Sequence, residues 1–332
     1  MVTRRRFLAI AGGSAAGLLA GCHSGAQAVT PAPKASTGSS KLDRIGVQLF
    51  TLPKLVEQGV DAAFAMLAGL GYQEVELFGP FPYSVPAVQE QWRALAPRLG
   101  FSGSGYFGLT AAQFRARLDA HGLTAPSMHV DLDTLRDRTA QVAEDAHILG
   151  AGYAGLPAIP EERRRTLDDY LRMADEMNTI GTRARSLGFK LLYHNHGYGF
   201  TPTDDGKIPT RVLFDRLDPS VVALEMDTFW TVAGGADPVE LLDAYPKLYR
   251  LMHVKDASKQ VRFTQGGNMQ DMMALMPAIT PDGTGILDLP RILGHAKQSG
   301  VEHFYVEQDL ASDPPVQLAT SIKNLRAMTL VM

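Results

Sequence analysis

Short apolar runs alternate with longer amphipathic stretches along most of this chain, and the alternation is regular enough to predict elements. Ile45-Gly-Val-Gln-Leu-Phe-Thr51 reads as a first strand and residues 60–70 as the helix after it. Glu74–Phe78 reads as a second strand. Residues 79–110 break the rhythm with Pro80, Pro82, Pro86 and a Gly/Ser-rich patch at 100–108, which predicts an insertion carrying one helix near 87–96. A helix over 111–120 leads to a third strand, Pro126–Val130. Leu135, Thr139, Val142, Ala146 and Leu149 share one helical face, and a fourth strand follows at Tyr153–Leu156. Tyr170, Met173, Met177, Ile180, Ala184 and Leu187 make the cleanest stripe. Its spacing of three and four marks the methionines as core.

Four further runs end alike: Leu191-Leu-Tyr-His-Asn-His196, Val222-Ala-Leu-Glu-Met-Asp-Thr-Phe-Trp230, Leu251-Met-His-Val-Lys-Asp256 and Phe304-Tyr-Val-Glu-Gln-Asp309. They read as strands five to eight, with helices near 209–217, 237–244, 288–298 and 314–328. Gly71, Gly122, Gly150, Gly188 and Gly300 each stand between a helix and a strand, where a helix C-cap wants positive φ. Strand–helix units in unbroken alternation predict an α/β fold, a (β/α)8 TIM barrel, over a doubly wound sheet. There is no P-loop to mark a nucleotide site.

The chain has 332 residues, 45% of them hydrophobic, and a formal charge of -3. That suffices for one large domain and leaves no electrostatic footprint for nucleic acid. One cysteine excludes an intramolecular disulfide. The amino terminus reads as an address. Thr3-Arg-Arg-Arg-Phe-Leu8 precedes a Gly/Ala-rich apolar stretch ending Leu19-Ala-Gly-Cys22, a pattern that resembles a twin-arginine leader with a lipobox over residues 1–22. Export to the periplasm and a lipid anchor at Cys22 are the expectation, against an ordinary cleaved signal. Residues 23–41 read as a flexible tether and 42–332 as the barrel domain. No later apolar run approaches the roughly 18 residues that span a bilayer.

In a parallel barrel the chemistry sits at the carboxyl ends of the strands. Glu225 and Asp227 lie on one side of their strand, because strand side chains alternate with period two. His, Asp, His and Glu at four consecutive strand ends can converge on one ion.

Gly46-Val-Gln-Leu-Phe-Thr51, Gly71-Tyr-Gln-Glu-Val-Glu-Leu77, Ser127-Met-His129, Tyr193-His-Asn-His196, Glu225–Trp230, His253-Val-Lys-Asp256 and Val306-Glu-Gln-Asp309 together resemble the sugar phosphate isomerase/epimerase family, the xylose isomerase-like barrels. The resemblance runs over roughly residues 43–328. It implies one divalent ion, Mn2+ first and otherwise Co2+, Mg2+ or Zn2+, held by Asp227, His253 and Glu307. Where relatives carry a fifth-strand glutamate this chain offers His194, and where the His-Asn-His subgroup continues with Glu it has Gly199.

Such enzymes abstract a proton α to a carbonyl, with the ion stabilising the enediolate. Glu307 is the candidate base and ligand. His129, His194 and His196 are candidate proton carriers, and Lys255 is a candidate for steadying the oxyanion or holding a substrate hydroxyl. Glu76, Trp230 and Asn195 are candidate substrate contacts. Each has a blander reading: His253 alone suits a satisfied core histidine, His194 a supporting role, Trp230 simple packing, and Asp256 and Asp309 partners for Lys255.

The functional expectation is an exported enzyme working on a non-phosphorylated sugar or keto-sugar, by isomerisation, epimerisation or an elimination that cleaves a 3-keto-glycoside. The competing expectation is a non-catalytic sugar-binding lipoprotein on a degenerate barrel. An abasic-site endonuclease on a related barrel fails on charge and ligand count.

Overall fold

The computed structural model describes residues 40–331. The expected leader over 1–22 with Cys22, and the tether apart from its last two residues, lie outside these. Eight parallel strands close into a barrel: β1 (Gly46–Gln48), β2 (Glu74–Phe78), β3 (Thr124–His129), β4 (Tyr153–Leu156), β5 (Lys190–Asn195), β6 (Val222–Asp227), β7 (Tyr249–Val254) and β8 (His303–Val306). Consecutive strands pair throughout, and β1 closes the ring on β8 through Gly46↔Tyr305 and Val47↔Val306. Gly46 has no freedom to be larger, since a Cβ there would lie 2.4 Å from the Tyr305 ring.

Period two divides the burial. Tyr193, Leu224, Met226, Met252, Val254 and Val306 face the helices and join the main core. Leu192, Ala223, Leu251 and Tyr305 form a separate small cluster with Tyr153 on the opposite side, inside the barrel. Two residues further along the same four strands the interior turns polar: His194, Glu225, His253 and Glu307. Two further on it is His196, Asp227, Lys255 and Asp309. The apolar plug thus supports two tiers of ionisable groups at the carboxyl end.

The helices begin and end where local chemistry dictates. Thr110 with Gln113 and Thr166 with Asp169 form capping boxes ahead of Ala111–Ala120 and Leu167–Ser186. Gly71 and Gly300, with φ of 98° and 99°, close their helices in the left-handed region.

Several expectations shift. The first strand stops at Gln48 and runs into a 3-10 turn, Leu49–Thr51, because the Gln48 side chain accepts the Phe50 N–H. The stripe from Leu135 to Leu149 is two helices, Leu132–Asp137 and Thr139–Leu149, parted at Arg138. The inserted helix is longer than predicted, Pro86–Leu99. Glu57 ties the insertion down by accepting the N–H groups of Ser102 and Gly103 at 2.9 and 2.8 Å. At the start of the described residues, Leu330 N–H donates to Ser40 C=O at 2.8 Å.

Residues 257–287, which follow β7, carry secondary structure of their own. They contain the helix Met269–Leu275 and an antiparallel pair, Asp256–Ala257 with Ile279–Thr280. Asp256 accepts four backbone N–H groups, from Ala257, Gly283, Gly285 and Leu287, at 2.8 to 3.1 Å. A carboxylate with that many donors is spent on the loop, so it does not pair with Lys255.

Candidate active site

Lys255 is fully buried, and its ammonium lies 2.9 Å from Asp227 Oδ2, 2.7 Å from Glu307 Oε2 and 2.7 Å from Asp309 Oδ2. Burial alone would discharge a lysine. Asp227, Asp309 and Glu307 outweigh it and raise the pKa well above the usual lysine value. Burial pushes Asp227 up to about 6 against the pull of Lys255, and it also raises Asp309.

Asp227 has two tasks. Its Oδ1 accepts the Trp230 N–H at 2.8 Å and caps the helix Thr228–Ala233, which leaves Oδ2 for the site.

His253 stands at the centre. Nδ1 is 2.7 Å from Glu307 Oε2, and Nε2 is 2.6 Å from Glu76 Oε2 and 3.4 Å from Glu225 Oε2. Although burial disfavours its charge, these three carboxylates raise its pKa well above the ordinary histidine value. His129 Nε2 lies 2.7 Å from Glu225 Oε2 and 3.3 Å from Glu76 Oε2, and it is raised in the same way. Burial and the neighbouring His253 press His194 down to about 3, so its ring is neutral. Its Nδ1 is 3.0 Å from Glu225 Oε2 and its Nε2 3.8 Å from Asp227 Oδ2.

His196 differs from the other three. Burial, then His194 and Lys255, hold its pKa well below normal, and its Nδ1 has no hydrogen-bond partner among the described residues. A neutral imidazole with a spare nitrogen can accept a hydrogen bond, and it takes a proton where a neighbouring charge makes up for the burial.

The expected residues are therefore brought together, with one departure. His129, His194, His196, Asp227, His253, Lys255, Glu307 and Glu76 all belong to one cluster. Asn195 does not. It lies on the opposite side of β5, where it donates to Tyr193 Oη at 2.9 Å and accepts the Gly197 N–H at 2.6 Å. Both ends of its amide are engaged in the turn after β5, on the side away from the cluster. Trp230 stacks on Phe263 with ring centres 5.9 Å apart, and its Nε1 has no partner among the described residues. It packs the built loop against the site, 5.7 Å from the Lys255 ammonium.

Two site residues escape the sequence pattern. Gln48 donates to Glu76 Oε2 at 2.8 Å. Glu225 is fully buried and shares Oε2 among His129, His194 and His253. A signal for Glu225 exists: it stands two residues before Asp227, and its register partner is His194.

Two overlapping groups can hold a metal, His129–His194–Glu225–His253 and Asp227–His253–Glu307, with ligand atoms in each within 4.8 Å of one another. The donor set fits a divalent ion. Carboxylate oxygens and imidazole nitrogens are the ligands such ions take. Among the described residues Glu76 Oε1 and Glu225 Oε1 are buried without hydrogen-bond partners, which fits oxygens that a cation would take.

Comparison with known proteins agrees with this architecture. An inosose dehydratase from Lacticaseibacillus casei is 28% identical over 192 residues, covering 55% of this chain and 61% of that protein, so the match spans about three fifths of the relative's length. A sugar phosphate isomerase/epimerase structure from Parabacteroides distasonis superposes with a TM-score of 0.66 at 21% identity, covering 88% of this chain and 96% of the other. The IOLI protein, solved with a bound zinc atom, superposes with a TM-score of 0.61 at 14% identity, covering 87% and 100%. The family model described as the xylose isomerase-like TIM barrel matches residues 64–328. That match takes in every strand end from Glu74 to Asp309, and the chain belongs to the xylose isomerase-like TIM barrel family.

Proposed function

We propose that this protein is a metal-dependent enzyme acting on a non-phosphorylated polyhydroxy ketone, and that its reaction opens with removal of a proton α to the carbonyl. The observation that carries the reading is His196, whose Nδ1 has no hydrogen-bond partner among the described residues, on the same tier as the buried Lys255 ammonium beside Asp227 and Glu307. His196 Nδ1 takes the proton from carbon. The C–H electrons move toward the carbonyl oxygen, where the Lys255 ammonium offsets the developing negative charge. A divalent ion, when bound, supplies Lewis-acid stabilisation of that oxygen. Asp227, His253 and Glu307, with His194, are the ligands that the family resemblance implies. Mixed carboxylate and imidazole donors suit Zn2+, Co2+ and Mn2+ alike.

From the same enediol-type species a proton returned to carbon gives isomerisation or epimerisation. Departure of a β-substituent as its conjugate acid gives elimination. The naming of relatives as inosose dehydratases supports elimination of water from a cyclic keto-polyol. A β-glycosidic leaving group would undergo the same step. The proposal also includes twin-arginine export and acylation at Cys22, which rest on the leader sequence.

The test is proton exchange in D2O, followed by NMR, with a panel of cyclic and linear keto-sugars and Zn2+, Co2+ or Mn2+. Deuterium at the α-carbon, abolished in His196→Gln, supports the enzyme. Binding of a keto-sugar without exchange under any of the three ions would overturn it in favour of a sugar-binding protein.

A further inference from the structure

His196 stands in a turn that is gripped on both sides by a buried chain of hydroxyls behind β5. Asn195 Nδ2 donates to Tyr193 Oη at 2.9 Å, and Tyr193 Oη donates to Tyr198 Oη at 3.1 Å. Tyr198 Oη also accepts the Ile159 N–H at 2.7 Å, which joins the turn after β5 to the segment after β4. Tyr193 and Tyr198 are each 1% exposed, so these bonds are shielded from solvent and reinforce one another.

The backbone around His196 is equally confined. Asn195 Oδ1 accepts the Gly197 N–H at 2.6 Å, and Thr210 Oγ1 donates to the Tyr198 C=O at 2.8 Å. Gly197 has a φ of 77°, and a Cβ there would lie 1.8 Å from the Trp230 carbonyl oxygen. The turn therefore rests directly on the helix Thr228–Ala233.

Arg164 closes the arrangement from outside. Its guanidinium carbon lies 3.8 Å from the centre of the Tyr198 ring, a cation–π contact. Its Nε donates to the Ile159 C=O at 3.1 Å and its Nη2 to the Gly267 C=O at 3.5 Å. One side chain thus links the segments after β4, β5 and β7. Of the three consecutive arginines, Arg163 pairs with Glu176 and Arg165 is exposed, so Arg164 is the one turned to this wall.

We infer that Tyr198 and Arg164 are positioning residues for His196. The Tyr198 hydroxyl anchors the turn, and Arg164 clamps the Tyr198 ring, so that the imidazole is held in one orientation on the tier of Lys255. The kinetic consequence rests on the proposed function; the orientation itself does not.

The experiment uses the full-length protein loaded with Zn2+. Tyr198→Phe keeps the ring under Arg164 and removes the hydroxyl, Arg164→Met removes the clamp, and Arg165→Met is the exposed control. Imidazole 1H–15N NMR spectra, with His196→Gln to assign the signal, read the orientation without any substrate. The His196 signals are expected to shift or broaden in Tyr198→Phe and Arg164→Met and to stay in place in Arg165→Met. With the cyclic keto-polyol that the wild type exchanges fastest, kcat in D2O is expected to fall about ten- to a hundredfold while KM stays within about twofold, measured well below each variant's melting temperature. His196 signals unmoved in both variants would overturn the inference, whatever happens to kcat. Shifted signals with exchange unaffected by His196→Gln would keep the positioning and remove His196 from the proposed chemistry. Where Arg164→Met does not fold, Tyr198→Phe decides, since it deletes one oxygen and leaves the ring packing in place.

Discussion

Asp227 holds the Trp230 backbone N–H at 2.8 Å with one carboxylate oxygen and lies 2.9 Å from the Lys255 ammonium with the other. One side chain thus joins the start of a helix to the charge balance of the site, and two substitutions separate those tasks. Asparagine caps a helix about as well as aspartate, so Asp227→Asn should keep the fold and lose activity. Asp227→Ala should lose activity and, in addition, about 1 kcal/mol of stability from the cap. Urea unfolding beside the exchange assay checks this. Equal destabilisation by both variants would show that the charge pair, not the cap, sets the stability.

Lys255→Met leaves Asp227, Glu307 and Asp309 buried without their cation. In chelator-treated protein at neutral pH the expected loss is about 3–5 kcal/mol. The sign follows from Glu307, which Lys255 and His253 hold well below the usual carboxylate value despite burial. A carboxyl with a depressed folded pKa contributes stability above its unfolded pKa and loses it as pH falls through the folded one. The variant forfeits much of that contribution, so its deficit against wild type should be largest near pH 7 and shrink below about pH 5, as protons replace the ammonium. A deficit that is flat with pH would refute the account.

Among the described residues His196 Nδ1 has no hydrogen-bond partner, so its removal should be silent to folding and loud to chemistry. His196→Gln is expected to lower kcat by about 10²–10⁴-fold, with the melting temperature and bound zinc unchanged. A parallel loss of zinc would instead make it a ligand.

Asp256 gathers the N–H groups of Gly283, Gly285 and Leu287 as well as that of Ala257. Asp256→Ala should free the segment from 279 to 287 while the barrel stays folded. Limited proteolysis should then cut there first, and mass spectrometry of the fragments reads the position. Unchanged protection would mean that packing, not the carboxylate, holds the loop.

Much of this architecture is legible in the amino-acid sequence. The eight strands sit within a few residues of where apolar runs and glycine caps put them, because burial against helices demands those patterns. The strand ends announce the site, because barrel geometry puts every carboxyl end at one rim. Local pattern is blind to other features. Asn195 lies between two site histidines, yet the period of two turns it outward. Glu225 lies one step beneath Asp227, and its importance comes only with the closure of the ring, which brings His129 from β3 over to it. The hold of Asp256 on the segment after β7 is invisible in sequence because its donors are backbone N–H groups, which carry no sequence signature.

The chain by itself determined the fold, the polar ends of the strands and the residue types gathered there, since those follow from periodicity and burial along one dimension. Only the tertiary structure decided who pairs with whom. Lys255 neutralises Asp227, Glu307 and Asp309, and His253 turns one nitrogen to each ligand group, because charge pairing acts over a few ångströms between residues that strand register and ring closure alone bring together.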